Sequence, residues 1–324
     1  MKFRDSILAT LFFSAVSSYS FAQTETFTET LYPHWGQFFT VSKVLMEDKN
    51  DVQHMVIFEN EEYGKVLALD GIIQTTEKDE FVYHEMIVHV PLLAHGNAQN
   101  VLIVGAGDGG TLREVLRHKN VKSATLVEID DRVINLCKKY LPNHSKGAFD
   151  NPKTRIVIQD AFDFVGNTRE KFDVIICDTT DPIGPGAILF TPEFYARCKK
   201  ALSVGGIIVT QCGVPFMQTD EMVHSHEHLS KIFKDAYFFV APVPTYVGGF
   251  MTFGWATDNK TLRTIDSRIL EQRMKKEVEG EMKYYTPKIQ AASFVLPKFL
   301  EDALAAGSKT VDKTESATTA PAVK

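Results

Sequence analysis

The chain has 324 residues, of which 44% are hydrophobic and 23% charged, with a formal net charge of −6 and a mean hydropathy of −0.10. That length can bury one large core or two unequal ones, and the composition is that of an ordinary soluble globular protein. The acidic balance argues against nucleic acid as a partner, and the spacing of Cys137, Cys177, Cys198 and Cys212 argues against both a metal site and a disulfide framework.

In chain order, Lys2 and Arg4 precede an apolar run from Ile7 to Val16, and Ser20-Phe21-Ala22 has the small-residue spacing of a cleavage site. Residues 1–22 read either as a signal peptide, hence an exported protein, or as an amino-terminal extension of a cytosolic one. The run is too short to span a bilayer. Residues 26–78 alternate in the strand period, most clearly at Val41–Leu45, His54–Phe58, Val66–Leu69 and Ile72–Ile73. Asp70-Gly71 between apolar runs signals a two-residue hairpin. A small antiparallel β domain follows, too small to stand without packing on the rest or on a partner chain. Glu80 to Leu93 has helical spacing and is expected to end near Pro91.

From Asn100 to residue 304 strands and helices alternate. Val101–Val104 reads as a buried strand, followed by the turn Gly105-Ala106-Gly107-Asp108-Gly109-Gly110 and a short helix over 111–117. Further strands are predicted at Ala124–Val127, Arg155–Ile158, Val174–Cys177, Ile207–Gln211, Ala236–Val240 and Met251–Ala256. Helices are predicted near Asp131–Tyr140, Asp160–Val165, Pro192–Leu202 and Glu221–Phe233. The alternation requires a mostly parallel sheet. Only Thr245-Tyr-Val-Gly-Gly249 joins the last two strands at their turn, so they should pair antiparallel. A seven-stranded, mostly parallel sheet ending in an antiparallel hairpin is the Rossmann-like fold of adenosylmethionine-dependent transferases. Residues 307–324 are Ser, Thr, Ala, Lys and Pro, and read as a disordered tail.

Ligands of open α/β sheets sit at the carboxyl ends of the strands, and in this chain those ends carry acids. Gly105, Gly107 and Gly110 satisfy a dinucleotide fingerprint, but Asp108 puts a carboxylate where a pyrophosphate needs bare N–H groups. Asp108 is either a helix N-cap or a contact for a nucleoside carrying positive charge. Placed about 4 Å from a ligand carboxylate, it would repel that group by roughly 4 kcal/mol. Glu128 ends the second strand at the ribose-binding spacing, and Asp160 is either an N-cap or an adenine contact. Asp178 and Asp181 flank two threonines in a stiff Pro- and Gly-rich loop. His224, His226 and His228 look metal-like, but they read as a solvated helix face away from the strand ends. Trp35 and most phenylalanines read as core.

Together these residues resemble the spermidine synthase family of polyamine aminopropyltransferases. The likeness runs from about Thr30 to Leu304. It rests on Tyr-Pro-His-Trp-Gly-Gln at 32–37, Leu-Asp-Gly-Ile-Ile-Gln at 69–74, Asp-Glu-Phe-Val-Tyr-His-Glu-Met at 79–86, the Gly-Asp-Gly-Gly turn, Asp-Thr-Thr-Asp-Pro-Ile-Gly-Pro at 178–185 and Pro-Thr-Tyr at 244–246. The resemblance implies an aminopropyl transfer from decarboxylated S-adenosylmethionine, a co-substrate, to putrescine, with no cofactor or metal and with a homodimer or homotetramer as the assembly. It assigns proton acceptance to Asp178 with Tyr83. Donor contacts fall to Gln53, Gly105, Gly107, Asp108, Glu128, Asp160, Ala161 and Pro185. Acceptor contacts fall to Trp35, His84, Asp181, Gln211 and Tyr246. Ala106 and Ala161 stand where the family often has glycine. The competing readings are a methyltransferase using intact S-adenosylmethionine, an NAD-dependent oxidoreductase, and a non-catalytic polyamine-binding protein.

Overall fold

The structure, a computed structural model, describes residues 25–182 and 184–307. The expected leader over 1–22, the expected tail beyond 307 and the Pro185 side chain lie outside the described residues.

Strands β1 (Thr26–Thr28) and β2 (Phe38–Thr40) form an antiparallel pair, and β3 (Lys43–Lys49), β4 (His54–Asn60), β5 (Gly64–Leu69) and β6 (Ile72–Thr76) form an antiparallel meander. Asp70 and Gly71, with φ of 50° and 82°, make the expected hairpin, because both central residues of a tight hairpin turn need positive φ. Alternation along β4 sends Met55 and Ile57 toward Cys137 and Leu141, while Phe58 packs with Phe39, Val66 and Ile73 on the opposite face. Both faces are thus covered, which is what so small a sheet needs.

Helix α1 (Glu80–His95) passes through Pro91 rather than ending there, and stops where Gly96, at φ 76°, donates its N–H to Leu92 O. A mid-helix proline costs roughly 3 kcal/mol. Leu92, Leu93 and Ala94 beyond it are at most 1% exposed, and two buried leucines at about 1.5–3 kcal/mol each offset that cost.

The large sheet contains β7 (Asn100–Gly105), β8 (Ser123–Glu128), β9 (Thr154–Ile158), β10 (Phe172–Asp178), β11 (Leu202–Gln211), β12 (Asp235–Ala241) and β13 (Met251–Thr257). Its order is β12-β13-β11-β10-β7-β8-β9. β13 is antiparallel to both β11 and β12, so the last strand wedges between them rather than forming the edge. The connecting helices include α2 (Gly110–Leu116), α3 (Asp131–Tyr140), α4 (Pro142–Ser145), α5 (Ala161–Asn167), α6 (Pro192–Ala201) and α7 (Thr219–Ile232). From β7 the chain runs outward to β8 and β9, then returns to β10 on the other side of β7. That reversal opens a crevice at the carboxyl ends of β7 and β10.

Two further sequence expectations are corrected. Trp35 is 48% exposed and, among the described residues, stacks on Tyr32 alone, so it is not core. On α7, His224 is exposed, but His226 lies against the Phe238 ring and His228 Nδ1 pairs with Phe190 O. Among the described residues no cluster could hold a metal ion, and no helix is long and apolar enough to cross a membrane. All four cysteines are buried and free.

Candidate active site

The crevice is built on a junction between two strand ends. Gly105 pairs in register with Asp178, and Ala106 donates its N–H to Asp178 O at 2.9 Å. A Cβ on Gly105, at φ +80°, would lie 2.2 Å from that oxygen, so only glycine fits. Ala106 follows at φ 61°, a left-handed conformation that glycine adopts freely and alanine does not. The extra methyl therefore strains the turn.

Asp178 sits at the centre. Tyr83 Oη donates to its Oδ1 at 2.7 Å and Thr111 Oγ1 donates to its Oδ2 at 2.6 Å. Burial pushes the carboxyl up from its ordinary value, with His84 and the two hydroxyl donors acting against the rise. Tyr83 is driven well above the usual phenol range by burial and by Asp178, so it stays a donor. Its ring packs edge-on against Tyr246 at 5.8 Å.

On one side lie the acids expected to hold a nucleoside. Glu128 Oε1 accepts the N–H groups of Ile129 and Asp130, yet burial lifts the carboxyl to about 7. Asp160 is the N-cap of α5, accepting from Phe162 N at 2.7 Å, and it also lines the same cavity. Asp108 is not the N-cap of α2, because that position is Gly109 in a left-handed conformation; its Oδ1 accepts from Gly110 N at 2.7 Å and its Oδ2 lies 3.4 Å from His84 Nε2. Gln53 reaches across from the small sheet to Asp130 Oδ2 at 2.9 Å. Gly107 lets Glu128 and Val133 close in, since a Cβ there would lie 2.6 Å from Val133 and 3.1 Å from Glu128 Oε2.

The other side is made from distant segments. Gln218 Nε2 donates to Asp181 Oδ1 at 3.2 Å and to Glu221 Oε2 at 3.1 Å, and Tyr32 Oη donates to Gln218 Oε1. Gln211 holds the loop by donating to Thr180 O. Tyr246 Oη donates to Gln74 O at 2.6 Å, and Asp79 fixes the preceding Thr245 through its N–H and its hydroxyl. Burial raises Asp181 and Glu29, and raises Glu221 to about 7 with Asp181 adding to it.

One cavity takes in Gln53, Tyr83, His84, Gly105, Gly107, Asp108, Glu128, Asp160, Ala161, Asp178, Asp181, Gln211 and Tyr246. Trp35 is outside it. Among the described residues no lysine or arginine lines it. Several buried carboxylates, with His84 the one basic side chain among the described lining residues, make a receptor for cations. Sequence reasoning missed Thr111, Glu29, Asp130, Gln218 and Glu221. Only Thr111, in the first turn after the glycine loop, had a local signal. The start of α7, thought remote, reaches the cavity through Gln218.

Residues 25–77 match the family described as the spermidine synthase tetramerisation domain, and residues 80–267 match the spermine/spermidine synthase domain. The chain belongs to the spermine/spermidine synthase family. It is 54% identical over 278 residues to a polyamine aminopropyltransferase of Klebsiella pneumoniae strain 342, covering 86% of this chain and 97% of that one. The fold superposes on a crystal structure of spermidine synthase in complex with the transition-state analogue AdoDATO, with a TM-score of 0.82, 38% identity, and 88% and 96% of the two chains covered. For spermidine synthase from Thermotoga maritima the TM-score is 0.79 at 37% identity, with 87% and 95% covered. The family membership makes this chain a transferase on the adenosylmethionine-type sheet expected from its motifs.

Proposed function

We propose that the protein transfers the aminopropyl group of decarboxylated S-adenosylmethionine to putrescine, giving spermidine and methylthioadenosine. The observation that carries the reading is the acid-lined cavity centred on Asp178, with seven acidic side chains and no lysine or arginine among its described lining residues. Both reactants are cations, and one of them must lose a proton.

The chemistry is an in-line displacement. An amine nitrogen attacks the carbon next to the sulfonium, the C–S bond breaks, and the thioether leaves neutral without an acid. The nucleophile is the difficulty, because an alkylamine titrates near 10.4, and freeing its lone pair at neutral pH costs roughly 4–5 kcal/mol. Asp178 accepts that proton, and the Tyr83 and Thr111 hydroxyls fix its two oxygens so that the carboxylate is aimed before the amine arrives. Asp181 holds the amine beside it, with Gln211 and Tyr246 shaping the channel. Glu128 receives the ribose, Asp160 and Ala161 the adenine, and Asp108 the aminopropyl ammonium, with Gln53, Gly105 and Gly107 completing the donor side.

The chain is further proposed to act in the cytosol, where this donor is made, and to work as a homodimer or homotetramer. The description of the family matching residues 25–77 supports a homo-oligomer, and light scattering on the purified protein measures its size. The activity is tested by incubating the protein with decarboxylated donor and a panel of diamines, read by mass spectrometry. Equal amounts of spermidine and methylthioadenosine are expected. A methylated product formed only from intact S-adenosylmethionine, or amine binding without turnover, would overturn the reading.

A further inference from the structure

Glu80 and Arg113 have no part in the scheme above, yet they stand directly behind His84. The His84 ring is 3% exposed, with Nδ1 2.6 Å from Glu80 Oε2 and Nε2 3.4 Å from Asp108 Oδ2. A neutral imidazole donates from only one nitrogen, so a ring facing a carboxylate at each nitrogen is satisfied only as imidazolium. Arg113 grips Glu80 with both arms, Nη1 to Oε1 at 3.1 Å and Nη2 to Oε2 at 2.8 Å, and also donates to Glu114 Oε1 and His144 O. Gly110 makes room for the ring, since a Cβ there would lie 2.2 Å from His84 Cε1.

We propose that Glu80 and Arg113 are positioning residues that hold His84 as a fixed counter-cation of Asp108, so that His84 balances this acid instead of binding an amine. The proposal rests on the donor placement given above. With Nδ1 bonded to Glu80 and Nε2 turned to Asp108 as an ion pair, a protonated His84 has no lone pair to offer an ammonium. The donor ammonium enters as a second cation beside Asp108, against the repulsion of the first. The same pairing weakens the repulsion that a bare Asp108 would exert on the carboxylate of intact S-adenosylmethionine. The charged and titratable groups facing His84 are Glu80 and Tyr83 on its own helix, Asp108 from the glycine turn, Arg113 from α2, His144 from α4 and Asp178 from β10. Burial opposes the charge on His84, but Asp108 and Glu80 lift the ring to about 10, whereas burial lowers His144.

Glu80→Gln keeps the shape and removes the charge that holds the proton. The test titrates wild type and variant with decarboxylated donor and with methylthioadenosine, which lacks the ammonium, at pH 6 and pH 8. In the wild type the ratio of donor to methylthioadenosine affinity should be the same at the two pH values, because Glu128, lifted by burial to about 7, meets the ribose of both ligands alike. In the variant that ratio should be about tenfold higher at pH 8 than at pH 6, where His84 recharges. Arg113→Lys, which loses the bidentate grip, should move the same way by less. A variant whose ratio is the same at both pH values, with the two ligands unchanged or moving in step, overturns the proposal. If Glu80→Gln does not fold, the ring nitrogens of wild-type His84 decide by NMR at pH 8: both protonated supports the counter-cation, and a neutral tautomer ends it. Failure of the wild type to release methylthioadenosine would instead sink the transfer reaction, leaving the ring measurement to be read on its own.

Discussion

The two halves of the cavity are made differently. On the nucleoside side each acid is satisfied by backbone within two residues: Asp108 by Gly110 N, Glu128 by Ile129 and Asp130 N, and Asp160 by Phe162 N. On the amine side the contacts cross the chain: Tyr32 to Gln218, Gln37 to Thr245 and Tyr246 to Gln74, all more than 170 residues apart. Local turns at strand ends position the first half, whereas packing of the small sheet against the loops of the large one positions the second. Asp178 lies where they meet. Changes on the nucleoside side should therefore act through charge and local geometry, and changes on the amine side through the fit of one substrate.

Substitutions can break or sharpen this contrast, and the largest effect belongs to the junction. Asp178→Asn should lower turnover by about a hundredfold to ten-thousandfold, the usual worth of a positioned base, with methylthioadenosine affinity nearly intact. Single-turnover kinetics beside a binding titration would separate the two, and unchanged turnover would remove Asp178 from the mechanism.

Next comes Glu128, whose carboxyl is lifted by burial from 4.5 to about 7. The folded state then holds the proton to higher pH than the unfolded chain does, so this group costs stability increasingly as pH rises from 4.5 to 7, and fully above that. Glu128→Gln should accordingly stabilise the protein by roughly 3 kcal/mol at pH 8 and by almost nothing at pH 4.5, while weakening donor binding. Denaturant melts at both pH values check the sign; a variant less stable at pH 8 would contradict it.

On the amine side, Asp181→Asn should raise the KM for putrescine about tenfold, a loss of roughly 1.4 kcal/mol, without touching donor affinity. If donor affinity fell equally, the two halves would not be separable. The smallest effect is expected at Ala106, where φ is 61°. Glycine removes strain of about 1–2 kcal/mol and returns part of it as unfolded-chain entropy of about 0.4–1 kcal/mol, so Ala106→Gly should stabilise by about 0.5 kcal/mol with activity unchanged, measurable as a small rise in Tm.

The same contrast explains what could be read from the sequence. The strand-and-glycine corner, the acids at 128, 160 and 178, and the Asp70-Gly71 hairpin are encoded by neighbours a few residues apart, and pattern reasoning finds such features. The course of α1 through Pro91 depended on how much apolar surface lay beyond the proline, which only the packed structure fixes. Gln218 and Glu221 carry no local mark, because their role comes from Asp181, nearly forty residues earlier. Trp35 failed in the opposite sense: a large aromatic suggests core, but it is 48% exposed, and among the described residues the ring stacked on it is Tyr32. His84 was placed by its motif, but its paired nitrogens depend on Glu80 one turn back and on Asp108 across the crevice.

The central claim is that a single cavity joins the two halves across Asp178, so that both substrates occupy it at once. The direct measurement is inhibition by a stable analogue in which the adenosyl group and the diamine chain are covalently linked. The account predicts competition against the decarboxylated donor and against putrescine alike, with the affinity for the analogue falling when either Glu128 or Asp181 is neutralised. An analogue that competes with the donor but is indifferent to putrescine and to Asp181→Asn would contradict it.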